Sequence, residues 1–309
     1  MIEVTIGELI KKKRKSLGLT QAKTCEGICE PETFSRIENN KQTPSRSMLN
    51  ALLQRLDISD DRFYAAITLE EVEINKLCKE ITAYNVKYEQ TTGNEKNRIR
   101  NALIEKHRQL RSIIEGDDNI SEQFIVRSEI LIGEFDPEEK ITKLVTAMRL
   151  THPSFELSSI KKGIYSFDEI KIINQIAVAY SDLGKSEDAI KIWEDLLKNQ
   201  NDRYENIVPS KTQKDLILYG LSRELLIEGK YNETKHYAEE GRLLSISYGI
   251  YQHLPGFLII LAECEYQLGN KDISKELFDD AYHLCKVIGD DVNKKIVHDA
   301  QTEYFSDKS

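Results

Sequence analysis

Proline and glycine are scarce in this sequence, 6 and 15 among 309 residues. So few chain breakers exclude collagen-like and proline-rich designs and most small all-β scaffolds, and they favour helices. Long apolar runs are missing too. The longest, Phe257 to Ala262, has six residues, against the roughly 20 needed to cross a bilayer. The opening stretch MIEVTIGELIKKKRK lacks an apolar segment ahead of a cleavage site, so it does not read as a secretory signal, and a cytoplasmic location without membrane contact is expected. Cysteines are few, odd in number and scattered (Cys25, Cys29, Cys78, Cys264, Cys285), which argues for free thiols over a disulfide framework. Cys25 and Cys29 stand at i, i+4, but no second pair of ligands lies near them. They read as small buried or half-buried thiols, and no metal or cofactor is expected.

Catalytic signatures are also lacking. Gly184-Lys185-Ser186 ends like a phosphate-binding loop, but Ala179 stands where that motif needs glycine, and the segment joins two helices rather than following a strand. The six histidines (His107, His152, His236, His253, His283, His298) contain no HExxH pair. An enzyme is not expected.

What the chain does have is an uneven charge. Its net charge is −9, yet residues 1–55 carry ten Lys/Arg against six Asp/Glu, while the remaining 254 residues carry 33 against 46. A small basic head on a large acidic body is the distribution of a nucleic-acid-binding module joined to something else. The head reads as five short helices. Ile6, Leu9, Ile10 and Leu17 recur at helical spacing until Gly18; Thr20 caps a brief second helix, with Gln21 just inside it. Pro31 opens a third helix running to about Asn39, followed by the turn-like Asn39 to Pro44. Ser45 or Ser47 caps a fourth, with Met48, Leu49, Leu52, Leu53 and Leu56, and Asp60 a fifth, with Phe63, Tyr64 and Ile67.

Leu17-Gly18-Leu19-Thr20-Gln21, Ser35-Arg36-Ile37-Glu38-Asn39 and Thr43-Pro44-Ser45, at these spacings, resemble the Xre/Cro/C1-type helix-turn-helix family. The resemblance implies that the third helix enters the major groove of DNA, with Pro31, Glu32 and Arg36 at base edges and Gln21, Thr33, Lys41 and Ser45 near phosphates. It also implies that Arg14 and Glu38 form an internal ion pair bracing the first helix against the third. A guanidinium such as that of Arg36 can take guanine O6 and N7 together. Glu30 and Glu32 at the groove-entering end would weaken non-specific binding, and Glu32 could hold Arg36 until DNA arrives.

The acidic body contains repeats. In residues 174–197, Ala177, Tyr180, Gly184, Ala189, Trp193 and Leu196 follow the small/aromatic/Gly/Ala/aromatic pattern of a tetratricopeptide unit, two antiparallel helices with Gly184 at the turn. A degenerate copy turns at Gly229, with Ser222, Leu225, Thr234, Ala238 and Gly241, and another at Gly269, with Ala262, Ser274, Phe278 and Ala281. A further degenerate unit is expected across 120–150, long amphipathic helices over 67–92 and 94–115, and a closing helix over 292–305 ending in Tyr304-Phe305. Gly116 to Asn119 and Asn199 to Asp202 read as polar loops.

The expected architecture is therefore all-α: a five-helix Xre/Cro-type helix-turn-helix head over residues 1–66, then a right-handed tetratricopeptide-like α-solenoid over 67–309, with 67–92 a candidate linking helix. An Xre-type head followed by such repeats resembles the Rgg/PlcR-type regulators, the peptide-pheromone receptors of the RRNPP group. That resemblance implies a cytoplasmic homodimer, joined through its repeats, that binds a double-stranded DNA operator and a short signalling peptide. Stacked helix pairs form a concave wall from the first helix of each repeat. Counting from the turn glycines, the inward positions are Lys171, Asn174, Val178 and Ser181; Tyr219, Arg223 and Leu226; and Ile259, Glu263 and Tyr266. An asparagine amide can donate to and accept from one peptide unit, and the resemblance puts Asn174 in that role. Gly220 stands where the related pattern carries a second asparagine. The alternative reading is a phage- or plasmid-type repressor whose repeats bind a protein partner and no peptide.

Overall fold

The computed structural model describes residues 5–56, 58, 69–114, 118–203 and 210–305, and every regular element among them is helical. The head starts with α1 (Ile6–Ser16), whose end is fixed by a reciprocal cap: Glu8 N donates to Thr5 Oγ1 (3.3 Å) and Thr5 N to Glu8 Oε2 (3.1 Å). Thr20 caps α2 (Gln21–Cys25), accepting from Lys23 N at 3.1 Å. Pro31 opens α3 (Pro31–Glu38), where a backbone N–H would lack a helical partner anyway. Ser45, not Ser47, caps α4 (Arg46–Arg55), accepting from Met48 N at 3.3 Å. The inward faces, among them Ile10, Phe34, Ile37, Leu49 and Leu52, close a small core of their own. The expected fifth helix with Asp60, Phe63, Tyr64 and Ile67, and the domain boundary at 66/67, lie outside the described residues.

The body is a run of helix hairpins, each packed on the next: α5 (Leu69–Gln90) with α6 (Gly93–Ile113), α7 (Asn119–Ile132) with α8 (Pro137–Thr151), α9 (Phe167–Asp182) with α10 (Ser186–Arg203), α11 (Ser210–Ile227) with α12 (Tyr231–Tyr248), and α13 (Leu254–Gln267) with α14 (Lys271–Ile288). The last helix, α15 (Asp291–Phe305), caps the stack. The repeat turns come where expected. Gly184, Gly229 and Gly269 have φ of +72°, +70° and +86°, a backbone that side-chain-bearing residues rarely adopt. The main core joins α8 to α13 around Trp193, Ile173, Leu196, Leu221 and Phe257. No described helix is long and apolar enough to cross a membrane.

One polar stretch differs from expectation, and of the other, Gly116 and Asp117 lie outside the described residues. Asn199 to Asp202 form no loop; they continue α10 to Arg203. The reason is a tertiary tie. Asn199 is fully buried, and its Nδ2 faces the carbonyls of Ile160, Lys161 and Gly163 at 3.2, 3.2 and 2.9 Å, around the short 3₁₀ segment Leu157–Lys162. Those bonds outweigh the weak helix preference of asparagine. Of the other stretch, Asp118 caps α7 by accepting from Ser121 N at 3.0 Å, and Asn119 is already helical.

Candidate DNA-binding face and peptide groove

In the head, Pro31, Glu32 and Arg36 are exposed on α3, and Thr33 is half-buried beside them. Lys41 and Ser45 are exposed in the connection from α3 to α4. Glu32 does not hold Arg36 here: among the described residues the Arg36 guanidinium has no ion pair. Gln21 differs from expectation. Its Nε2 donates to Glu38 Oε2 at 2.6 Å, so the amide turns inward at the start of α2. Glu38 also accepts from Arg14 Nε (2.6 Å) and Nη2 (3.0 Å), while Arg14 Nη1 reaches Leu19 O (2.8 Å). This buried knot ties α1, α2 and α3 together and holds the outward face of α3 at one angle.

A second knot, which the sequence reading missed, docks the head on the body. Arg55, at the end of α4, is 3% exposed, too little for a free guanidinium. It donates to Thr24 O and Glu26 O in the head, and to Thr151 O (3.0 Å) and Glu169 Oε1 (3.2 Å) in the body, with His152 Nδ1 at 3.1 Å. Burial raises the Glu169 carboxyl, but Arg55, His152 and Thr151 together outweigh it and hold the group well below the usual carboxylate range. Gln54 Oε1 accepts from Phe167 N (2.9 Å), and a Cβ on Gly27 would lie 1.8 Å from Thr151 O, so head and body backbones touch there.

The body candidates divide into an open and a covered set. On α9, Lys171 and Val178 are half-buried and Asn174 is buried. Asn174 Oδ1 accepts from the indole Nε1 of Trp193 at 2.8 Å. That bond fixes which way the amide faces and leaves its N–H groups, which have no partner among the described residues, as the part able to hold a peptide carbonyl. Ser181 instead donates to the buried Glu224 (2.6 Å). On α11, Arg223 is exposed and Leu226 half-buried, and Tyr219 stacks on His253 with ring centroids 5.0 Å apart. The absence of a Cβ on Gly256 admits the Tyr219 ring, and Asp215 holds His253 Nδ1 at 2.5 Å. Gly220 has a packing reason: a Cβ there would lie 2.6 Å from the Trp193 ring, so a second asparagine is excluded by the tryptophan that orients the first.

The third-repeat candidates are not open wall. Ile259 is buried in the cluster that α15 closes, Glu263 accepts from Tyr304 Oη (2.7 Å), and Tyr266 stacks on Tyr304 at 4.0 Å. The closing helix covers the positions that repeat counting turned inward. The groove gains residues the sequence reading did not select. Arg127 of α7 lies 3.8 Å from Asp168 of α9. No local pattern marks these residues; only the curvature of the stack gathers them.

Comparison with known proteins is consistent with this division. The helix-turn-helix family model matches residues 10–63. No curated protein sequence matches the chain. Among solved structures, PlcR of Bacillus thuringiensis in complex with the peptide PapR7 and DNA is similar, with a TM-score of 0.60, 19% identity, and cover of 94% of this chain and 98% of that one. The apo form of the competence regulator ComR from Streptococcus vestibularis gives 0.55 and 15%, covering 97% and 98%. ComR from S. thermophilus, in complex with DNA and its signalling peptide ComS, gives 0.53 and 14%, covering 97% and 99%. The likeness is one of fold, a helix-turn-helix head followed by a helical repeat body along nearly the whole chain.

Proposed function

We propose that this chain is a transcriptional regulator that binds double-stranded DNA through its head and a short signalling peptide through the groove of its repeat body, acting as a homodimer in the cytoplasm. The observation that carries the reading is the pairing of two prepared surfaces in one chain: an α3 face with an exposed Arg36 that has no ion pair among the described residues, and a groove in which Trp193 orients Asn174. Two of the structurally similar proteins were solved with both DNA and a peptide.

In this reading Arg36 takes a guanine edge, and Lys41 neutralises phosphate without reading sequence. One small head buries little DNA surface, so two heads on half-sites about one helical turn apart supply affinity. In the groove, the Asn174 N–H groups hold a peptide carbonyl while Val178 and Leu226 cover apolar side chains. Glu169, which docks the head, and Asn174, which meets the peptide, lie five residues apart on α9. A peptide that biases this helix therefore biases how the head is held, and linkage requires operator DNA to change peptide affinity by the same factor.

The test has two arms. Selection of duplexes from a random pool should enrich one operator for the wild-type protein; no enrichment would remove the DNA reading. Synthetic seven-residue peptides should then include binders whose affinity falls roughly five- to a hundredfold in Asn174→Ala, the loss of one buried hydrogen-bonded anchor. Equal affinity for both proteins would remove Asn174 from the site.

A further inference from the structure

The join between α2 and α3 holds two cysteines that neither DNA binding nor peptide binding calls on. Cys25 ends α2, and Cys29 stands just before Pro31 opens α3. An open cavity of about 520 Å³ lies beside this join, and both cysteines line it. Cys25 is fully buried and Cys29 half-buried. The chain leaves the helix at Glu26 and turns at Gly27, where φ is +70°, yet Cys29 N still donates to Cys25 O at 3.1 Å. That turn folds the second cysteine back onto the first. Cys25 Sγ donates to Ala22 O at 3.7 Å and accepts from the Cys29 thiol. The bond between the thiols lowers the Cys25 pKa and, together with burial, raises that of Cys29. The nearby Arg55 guanidinium also favours a Cys25 thiolate. The other three cysteines differ: burial pushes Cys78, Cys264 and Cys285 each up to about 12, which keeps them as unreactive thiols.

A second observation gives the pair a consequence. The residues enclosed by the two cysteines are those by which the head touches the body. Arg55 donates to Glu26 O, Ser154 Oγ donates to Glu26 Oε1 at 3.1 Å, and a Cβ on Gly27 would lie 1.8 Å from Thr151 O. A disulfide replaces a contact between unbonded sulfurs by a bond of about 2.05 Å. Closing it must draw in this turn, and there is no slack where backbone already meets backbone.

We propose that Cys25 and Cys29 are an oxidation site for a small peroxide, and that their closure to an intramolecular disulfide loosens the docking of the head on the body. The Cys25 thiolate attacks one peroxide oxygen, the O–O bond breaks, and water leaves after taking up the thiol proton. The Cys25 sulfenic acid is then attacked by the Cys29 sulfur, whose proton departs with the sulfenic oxygen as a second water. Two thiols are oxidised and one peroxide is reduced. Cys29, placed on the cavity side, resolves the sulfenic acid before it can be oxidised further.

The probe is hydrogen peroxide on the full-length reduced protein. The tryptic peptide Thr24–Arg36 carries both cysteines and is followed by mass spectrometry after free thiols are alkylated. It should lose two hydrogens, and regain them with dithiothreitol, before Cys78, Cys264 or Cys285 react. Cys29→Ser should stop at a Cys25 sulfenic acid, caught as a dimedone adduct, and Cys25→Ser should give none. Hydrogen exchange over residues 24–29 and 151–154 should speed up roughly tenfold in oxidised wild type against reduced wild type. The double change Cys25→Ser with Cys29→Ser should be indifferent to the same peroxide. The wild-type arms need no variant, so a misfolded mutant leaves the test intact. Oxidation that spares the Thr24–Arg36 peptide, or that spreads evenly over all five cysteines, would overturn the site. A disulfide that leaves exchange at both segments unchanged would overturn its coupling to docking. Neither readout uses DNA or peptide, so the result is independent of the proposed regulator.

Discussion

The head and the body present their candidate residues in opposite ways. On α3 the candidates Glu32 and Arg36 are exposed and make no side-chain bond among the described residues, while Arg14, Gln21 and Glu38 hold the helix from behind. In the body, structural and candidate roles fall on the same side chains: Asn174 orders Trp193, Ser181 serves Glu224, and Glu263 and Tyr266 are covered by Tyr304. On the proposed function, a rigid object such as DNA would meet a face prepared in advance, and a flexible peptide would meet a groove whose lining is also the packing of the repeats, so that occupancy there could reach the fold itself.

The largest test strikes where the two regions join. Arg55→Ala takes the guanidinium from the buried Glu169 carboxylate and leaves it only Thr151, Ser166 and His152, which should cost about 3–5 kcal/mol and release the head. Thermal unfolding and small-angle scattering would read this as a lower Tm and a larger radius of gyration, and unchanged values would show that the docking is held elsewhere. The paired change Arg55→Met with Glu169→Leu should recover most of the stability. Since the folded Glu169 carboxyl is depressed, its contribution is complete above its unfolded pKa and is lost as pH falls through the folded value. Docking should therefore hold to about pH 4 and weaken only below it.

Next comes the dual use of the groove. Gly220→Asn restores the asparagine of the related repeat pattern but drives a side chain into Trp193, for an expected loss of about 1–3 kcal/mol or more. Trp193 is the chain's one tryptophan, so its fluorescence reports the displacement directly. A stable variant with unshifted emission would mean that the groove yields more readily than its packing suggests.

At the exposed head candidates Arg36 and Lys41, function should change without stability. Arg36→Ala should lose about 1–3 kcal/mol at the operator and relax one base-pair preference. Lys41→Ala should weaken all sequences alike and reduce the salt slope by about one. Both should unfold at the wild-type Tm, and a lowered Tm in either would erase the contrast with the body.

The smallest effect concerns His107, buried between α6 and α7. Its Nε2 meets Ser128 Oγ at 2.8 Å, Ser128 donates to Asn85, and its Nδ1 has no partner among the described residues. Burial lowers its pKa to about 4. The folded state thus binds this proton more weakly than the unfolded chain, whose histidine titrates near 6.5. Stability should fall as pH drops from about 6.5 to 4 and level off below. Urea midpoints at pH 7 and pH 5 should differ more in wild type than in His107→Gln, and equal differences would remove His107 as the source.

Much of this molecule was legible in order along the chain. Thr20, Pro31 and Ser45 mark helix starts because their effect lies within three or four residues of themselves, and Gly184, Gly229 and Gly269 mark turns because the backbone there needs positive φ. Asn199 to Asp202 were misread because the bonds that keep them helical come from residues nearly forty positions earlier. The face of α13 was misread because spacing tells which residues share a side of a helix, not what lies against that side.

The sequence by itself determined the helices, their hairpin order, the helix-turn-helix head and the outward placement of Arg36, all of which follow from local backbone preference and periodic burial. Tertiary structure alone decided that Arg55 fastens head to body, that α15 covers Glu263 and Tyr266, and that Arg127 of α7 comes within 3.8 Å of Asp168 on α9. Those contacts join residues far apart in sequence. They depend on how small rotations between successive helix pairs accumulate, a sum over all the packing that no local pattern carries.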